Sequence, residues 1–158
     1  MKKIVPFLWF NGNAEEAIHY YTSIFNDSAI IGESRQGGSG SEGKGQLISA
    51  TFRIEDQTFM ALNGGPHYTF TPAISLFVNC HTQEEVDTLW EKLTADGEPG
   101  RCGWLIDKFG VSWQIIPTKL GELLQSGDPQ RAGRVMQAML GMNKLDIQRL
   151  QQAYDGEE

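Results

Sequence analysis

The feature that most restricts how this chain can fold is an element order that occurs twice without a matching repeat of sequence. Two helix starts share one pattern, Asn13 with Glu16 and Thr82 with Glu85. In each, a side-chain acceptor is followed three residues on by a glutamate, the arrangement that satisfies free N–H groups at a helix start. Laid on one another by these caps, Asn13 falls on Thr82, Glu15 on Glu84, Glu16 on Glu85 and Tyr21 on Trp90. Each cap follows a short apolar run, residues 4–10 and 73–80, that reads as a strand. The order is strand, helix, three strands, and then the same again, which is architectural evidence of duplication.

The remaining elements follow from periodicity. Ala14, Ala17, Ile18, Tyr21 and Phe25 lie at helical spacing. Residues 28–35, 46–54 and 58–63 read as strands, the last two joined by a short turn. In the second half the helix runs from the Thr82 cap towards Gly97, and strands at 101–106 and 111–116 flank a "DKFG" turn. After Pro117 the pattern changes to two or three helices, one of them opened by Asp128 and Pro129. The expected class is therefore α+β: two tandem βαβββ modules, about 3–63 and 73–117 within a body of 1–117, plus a C-terminal helical extension over 118–158. The apolar stripe Val135, Met136, Met139 and Leu140 reads as packing, against the body or against a partner chain.

A duplicated βαβββ module forms a curved mixed sheet with its helix on one face. The other faces are expected to line a cleft. Strand alternation then sends Leu8, Phe10, Phe59 and Asn63 of the first module, and Ser75, Phe77, Ser112 and Gln114 of the second, towards that cleft. Cys102 and Trp104 share a strand face and join the set if that face is the cleft. Gln114 is the odd residue, an amide inside the apolar run 111–116, and a buried amide needs partners or a cavity beside it. An apolar and aromatic lining with a few amides and hydroxyls is what a small-molecule pocket offers. The same residues would also fill a closed barrel interior.

Other signals limit the function classes. The net charge of −7 gives no electrostatic footprint for nucleic acid or for an anionic membrane surface. Cys80 and Cys102 form no C-x-x-C pair and are too few for a disulfide framework, so both read as reduced thiols in a cytoplasmic protein. The thiol of Cys102 is either an inert buried group or, on the cleft face, a reactive one. No stretch approaches the ~20 apolar residues that cross a bilayer, and the N-terminal run passes at once into a helix start rather than a cleavage site. The glycine-rich stretch 37–45 reads as a loop, with a lid as its functional alternative; it lacks the residue order of a phosphate-binding loop. His19 and His81 read as surface groups, whereas His67, in the connector, could reach a cleft mouth.

The stretches "PFLWFNGNAEEAIHYY", "ISLFVNCHTQEEVDTLWEKL" and, most specifically, "CGWLIDKFGVSWQIIP" resemble the vicinal oxygen chelate superfamily, which includes glyoxalases, extradiol dioxygenases and bleomycin-resistance proteins. Within it the chain is similar to the PhnB-like group, often labelled 3-demethylubiquinone methyltransferase. The resemblance implies metal ligands at four strand positions, which fall on Pro6, about Ala61, about Ala73 and Gln114. Three of the four lack a donor side chain, and one neutral amide does not hold a divalent cation. No metal and no cofactor are therefore expected. The resemblance also implies a homodimer.

Three functions compete at this level. A metal-independent small-molecule binding protein needs only the pocket. A metal-dependent lyase, isomerase or dioxygenase needs ligands that the mapped positions do not provide. A methyltransferase needs a cofactor pocket, commonly a glycine-rich strand-to-helix turn, and the glycine-rich run here lies between two strands. The first reading leads, and fold alone does not settle function.

Overall fold

The structure, a computed structural model, describes residues 2–37 and 45–157. The glycine-rich loop expected over 37–45 lies, apart from its two end residues, outside the described residues. The chain divides into two compact units, Met1–Phe70 and Thr71–Glu158.

The first unit contains β1 (Phe7–Phe10), α1 (Ala14–Ile24), β2 (Ser28–Arg35), β3 (Leu47–Ile54) and β4 (Gln57–Asn63). Its sheet has the order β1-β4-β3-β2, with β1 parallel to β4 and the other pairs antiparallel. Helix α1 packs on β3 and β4 through Ala17, Ile18 and Tyr21, all buried. The sheet side of this core is Ala50, Phe52, Phe59 and Ala61, and the rings of Phe52 and Phe59 stack at 5.3 Å.

Two expectations for this unit are corrected. Asn13 does not cap α1: among the described residues its side chain makes no cap hydrogen bond. At φ −118° and ψ 22° it lacks the extended backbone from which a capping side chain reaches back. Asn63, at the end of β4, does the work instead. Its Oδ1 accepts from the Ala14 N–H at 2.9 Å, and its Nδ2 donates to the Leu47 carbonyl at 3.0 Å. Asn63→Ala is therefore expected to cost about 1–3 kcal/mol, because it leaves two partly buried backbone groups unpaired. Asn13→Ala should stay within about 0.5 kcal/mol of the parent. Urea denaturation of the two variants checks the ordering, and an equal effect would contradict it.

The second correction concerns which face is which. Phe10 pairs with Asn63, Leu8 with Ala61, and Phe59 with Phe52. Phe10, Phe59 and Asn63, expected in the cleft, therefore share the face that carries α1. Phe10 and Phe59 are buried there, at 1% and 5% exposure. For Phe10 the cause is a single residue. Three residues, Asn11 to Asn13, separate β1 from α1, and Gly12 among them takes a left-handed φ of +83°. Only His81 and Thr82 separate the corresponding strand and helix of the second unit. Matching the helices by their caps thus misaligns the strands by one, and one residue exchanges the two faces of a strand.

The second unit contains β5 (Ser75–Cys80), α2 (Gln83–Thr94), β6 (Glu98–Pro99), β7 (Trp104–Ile106) and β8 (Ser112–Pro117), then α3 (Thr118–Leu124), α4 (Pro129–Leu140) and α5 (Ile147–Asp155). The sheet order β5-β8-β7-β6 repeats that of the first unit, with β5 parallel to β8. Here the predicted cap forms: Thr82 accepts from the Glu85 N–H at 3.1 Å, and Glu85 accepts from the His81 N–H at 3.0 Å. Helix α2 buries Val86, Leu89 and Leu93 and packs on β5, β7 and β8.

The helical extension belongs to this unit. Leu120, Leu123, Val135, Leu145 and Leu150 form one buried cluster with Ile116 of β8. Asp128 opens α4 as its sequence suggests, accepting from the N–H groups of Gln130 and Arg131. Gln83 joins α2 to the extension, donating to the Leu145 carbonyl and accepting from the Ile147 N–H. Lys144 lies 2.8 Å from Asp87, and its ammonium, followed by the Gln83 amide, holds the Asp87 carboxyl below its ordinary range.

Candidate functional site

The site is built on the face of the second sheet that points away from α2. The parallel pairing of β5 with β8 places Phe77 opposite Gln114, and the antiparallel pairing of β7 with β8 places Trp104 opposite the same residue. The result is one transverse row, Phe77, Gln114, Trp104, with an amide between two aromatic side chains. Alternation sends the neighbours Trp113 and Ile115 to the other face, where they are buried at 2% and 0% exposure.

Gln114 Nε2 donates to Ser75 Oγ at 3.0 Å. Its Oε1 accepts no hydrogen bond among the described residues, so the acceptor end of the amide stays available. On the same face, Ser112 is 1% exposed and its Oγ has no hydrogen-bond partner among the described residues.

Cys102 and Gly103 lead into β7 with left-handed backbones, φ +59° and +85°. They are held by the extension: the Cys102 N–H donates to the Met142 carbonyl and the Gly103 N–H to the Asn143 carbonyl, both at 2.8 Å. On the other side of Gly103, its carbonyl accepts from the Ile115 N–H at 2.8 Å. The chain between β7 and β8 is fixed by Asp107, whose carboxylate accepts from the N–H groups of Phe109 and Val111 and from the indole of Trp113.

Helix α3 starts directly after β8 and turns over the end of the row. Together with Met139 of α4 it closes a groove of about 400 Å³. One wall is the sheet, with Phe77, Asn79, Cys102, Trp104, Gln114 and Ile116; the other is the extension, with Thr118, Leu120, Gly121, Leu124 and Met139. The volume falls within the range of roughly 300–1,000 Å³ usual for small-molecule sites. Phe77 remains 54% exposed, leaving an aromatic face free at the groove.

The structure thus brings Phe77, Cys102, Trp104 and Gln114 together, with Ser75 behind Gln114. Phe10, Phe59 and Asn63 lie instead on the α1 face of the first unit. Sequence reasoning missed Asn79 and the whole extension wall. Asn79 stands two residues after Phe77 and was legible by alternation; the wall depends on where α3 turns and carries no local signal. His67 is exposed in the connector between β4 and β5, His19 is exposed on α1, and His81 is exposed before the Thr82 cap.

The four ligand positions implied by the resemblance do not fit a metal ion. Pro6 offers only a carbonyl, which already accepts from the Met60 N–H at 2.9 Å. Ala61 is buried on the α1 face. Ala73 has no donor, and Gln114 supplies one neutral amide. Strand pairing makes Met60 the counterpart of Gln114, since each stands three residues before the last paired residue of its strand, Asn63 or Pro117. Among the described residues, no three His, Cys, Asp or Glu side chains come together in a way that could hold a metal ion. No helix among the described residues is long and apolar enough to cross a membrane.

Comparison with known proteins matches residues 2–116 to the family model described as 3-demethylubiquinone-9 3-methyltransferase. No curated protein matches the chain. Among solved structures, the PhnB protein from Bacillus cereus is similar at 43% identity and a TM-score of 0.66, over 73% of this chain and 99% of that one. A protein from Pseudomonas aeruginosa is similar at 23% identity and a TM-score of 0.62, over 74% and 98%. A glyoxylase/bleomycin resistance protein/dioxygenase domain from Frankia is similar at 12% identity and a TM-score of 0.46, over 74% and 92%.

Proposed function

We propose, for a chain that belongs to the 3-demethylubiquinone-9 3-methyltransferase family of PhnB-like, glyoxalase-type folds, that it binds a small, mainly apolar organic molecule in the groove of its second unit, without a metal ion. The observation that carries this reading is the row Phe77, Gln114, Trp104, opening on the groove with Gln114 Oε1 unbonded among the described residues. Aromatic faces supply contact area, and a single acceptor orients a hydroxyl or amine of the ligand. What supports the absence of a metal is the chemistry of the inherited positions: Pro6, Ala73 and Met60, the counterpart of Gln114, supply no donor suited to a hard cation, and Gln114 supplies one neutral amide. Methyl transfer has less support. The glycine-rich stretch 37–45 falls in the sequence between β2 and β3, which pair antiparallel, whereas the turn that cradles a nucleotide-like cofactor commonly falls between a strand and a helix.

The test is calorimetric titration of the full chain with 2-naphthol, a planar aromatic bearing one hydroxyl donor, in buffer containing a chelator. Saturable binding is expected, and Gln114→Ala should weaken it by about 3- to 10-fold, the loss of one hydrogen bond to a neutral group. No binding by the parent protein, or binding only after a divalent metal is added, would overturn the reading; the second result would favour a metal-dependent lyase, isomerase or dioxygenase.

A further inference from the structure

The groove has one wall from the shared fold and one from outside it. The family match ends at residue 116, and α3 begins at Thr118. The groove side of α3 carries Thr118, Leu120, Gly121 and Leu124, while Leu123, like Leu120, is buried. Gly121 is the unexpected member. A glycine inside a helix is less stable than alanine by about 1 kcal/mol, so it calls for a reason.

The usual reasons do not apply. Gly121 does not have a left-handed backbone. No other segment approaches it closely either: a Cβ placed there would meet nothing within 4 Å. Gly121 is instead part of the lining of the groove whose other wall carries Gln114, Trp104 and Phe77, and the space beside it is open.

The structure assigns Gly121 as the residue that sets the size of ligand the groove accepts. Its missing side chain leaves a slot for the far ring of a planar, two-ring aromatic molecule whose hydroxyl lies on Gln114 Oε1. This rests on the groove being the binding site proposed above. It also means that the extension, rather than the shared fold, sets selectivity by ligand size.

The experiment compares phenol and 2-naphthol binding to the parent chain, Gly121→Ala and Gly121→Leu by calorimetry, with thermal melting as the control for folding. Alanine is the better helix former, so Gly121→Ala should melt at or above the parent temperature. It should weaken 2-naphthol by about tenfold, the scale of one methyl group in a tight pocket. Gly121→Leu should weaken it further, and both variants should leave phenol within about twofold. Equal 2-naphthol affinity in the folded variants and the parent would overturn the assignment of Gly121 and leave the groove reading standing. Equal losses for phenol and 2-naphthol would also overturn it, as general damage to the wall. No binding of either compound by the parent would overturn the groove reading, and the role of Gly121 with it.

Discussion

Replacing Asp107 by alanine is expected to cost about 3 kcal/mol or more of stability, the sum of several donors left unpaired. The side chain is 2% exposed. Oδ1 accepts from the Phe109 N–H at 2.8 Å and the Val111 N–H at 3.1 Å, and Oδ2 accepts from Trp113 Nε1 at 2.8 Å. Alanine removes these three acceptor contacts and deprives the buried Val111 and Trp113 donors of the carboxylate. Asp107→Asn keeps one oxygen for the two backbone donors and should lose about half as much. The consequence reaches the site, because this turn sets the pairing of Trp104 with Gln114. Urea denaturation followed by tryptophan fluorescence gives the measurement. An unchanged midpoint for Asp107→Ala would mean that the backbone bonds from the Gly110 N–H to the Asp107 carbonyl and from the Asp107 N–H to the Val111 carbonyl hold the turn without the side chain.

The second large effect is expected at Gly103. A Cβ there would lie 2.8 Å from Ile116 Cδ1, 2.9 Å from the Ile115 carbonyl oxygen and 3.2 Å from Leu145 Cδ1. Two of these neighbours belong to β8 and the third to the extension. The backbone is also left-handed, which costs an alanine more than a glycine. Gly103→Ala should therefore lose about 3 kcal/mol, overpacking and backbone strain together. It should also shift Trp104, the next residue, away from Gln114. Thermal melting reads the first effect and near-ultraviolet circular dichroism the second. A variant that melts like the parent with an unchanged aromatic spectrum would show that β7 and the extension can separate without cost.

Much of the architecture was legible along the chain. Strand β2 was bounded correctly at 28–35, and Thr82 with Glu85 caps α2 as its pattern implied. Pro117 ends β8, and Asp128 with Pro129 starts α4. These are local matters, decided by a few neighbouring side chains and their reach to the backbone. Face assignment was not local. In the second unit, alternation alone placed Ser75, Phe77 and Gln114 on one side of the sheet, and the observed pairing agrees. In the first unit the same reasoning puts Phe10 and Phe59 on the wrong side, Phe10 because of the extra residue in the Asn11–Asn13 turn, and Phe59 because the face of β4 follows only from its pairing with β1 and β3.

From its order of residues alone, this protein was bound to two βαβββ modules and a helical tail. Apolar period, caps and turn residues act over a few positions and leave few other arrangements. Gln114 was also visible as an amide out of place. What it faces was decided only by the tertiary structure. Phe77 and Trp104 stand well apart from Gln114 in sequence order and meet it through strand pairing, whose register no single strand encodes. The wall opposite exists because Ile116, Leu120, Leu145 and Leu150 bury one another and draw α3 over the sheet. Burial of that kind is summed over distant residues and has no direction along the chain, so it fixes the groove without leaving a motif.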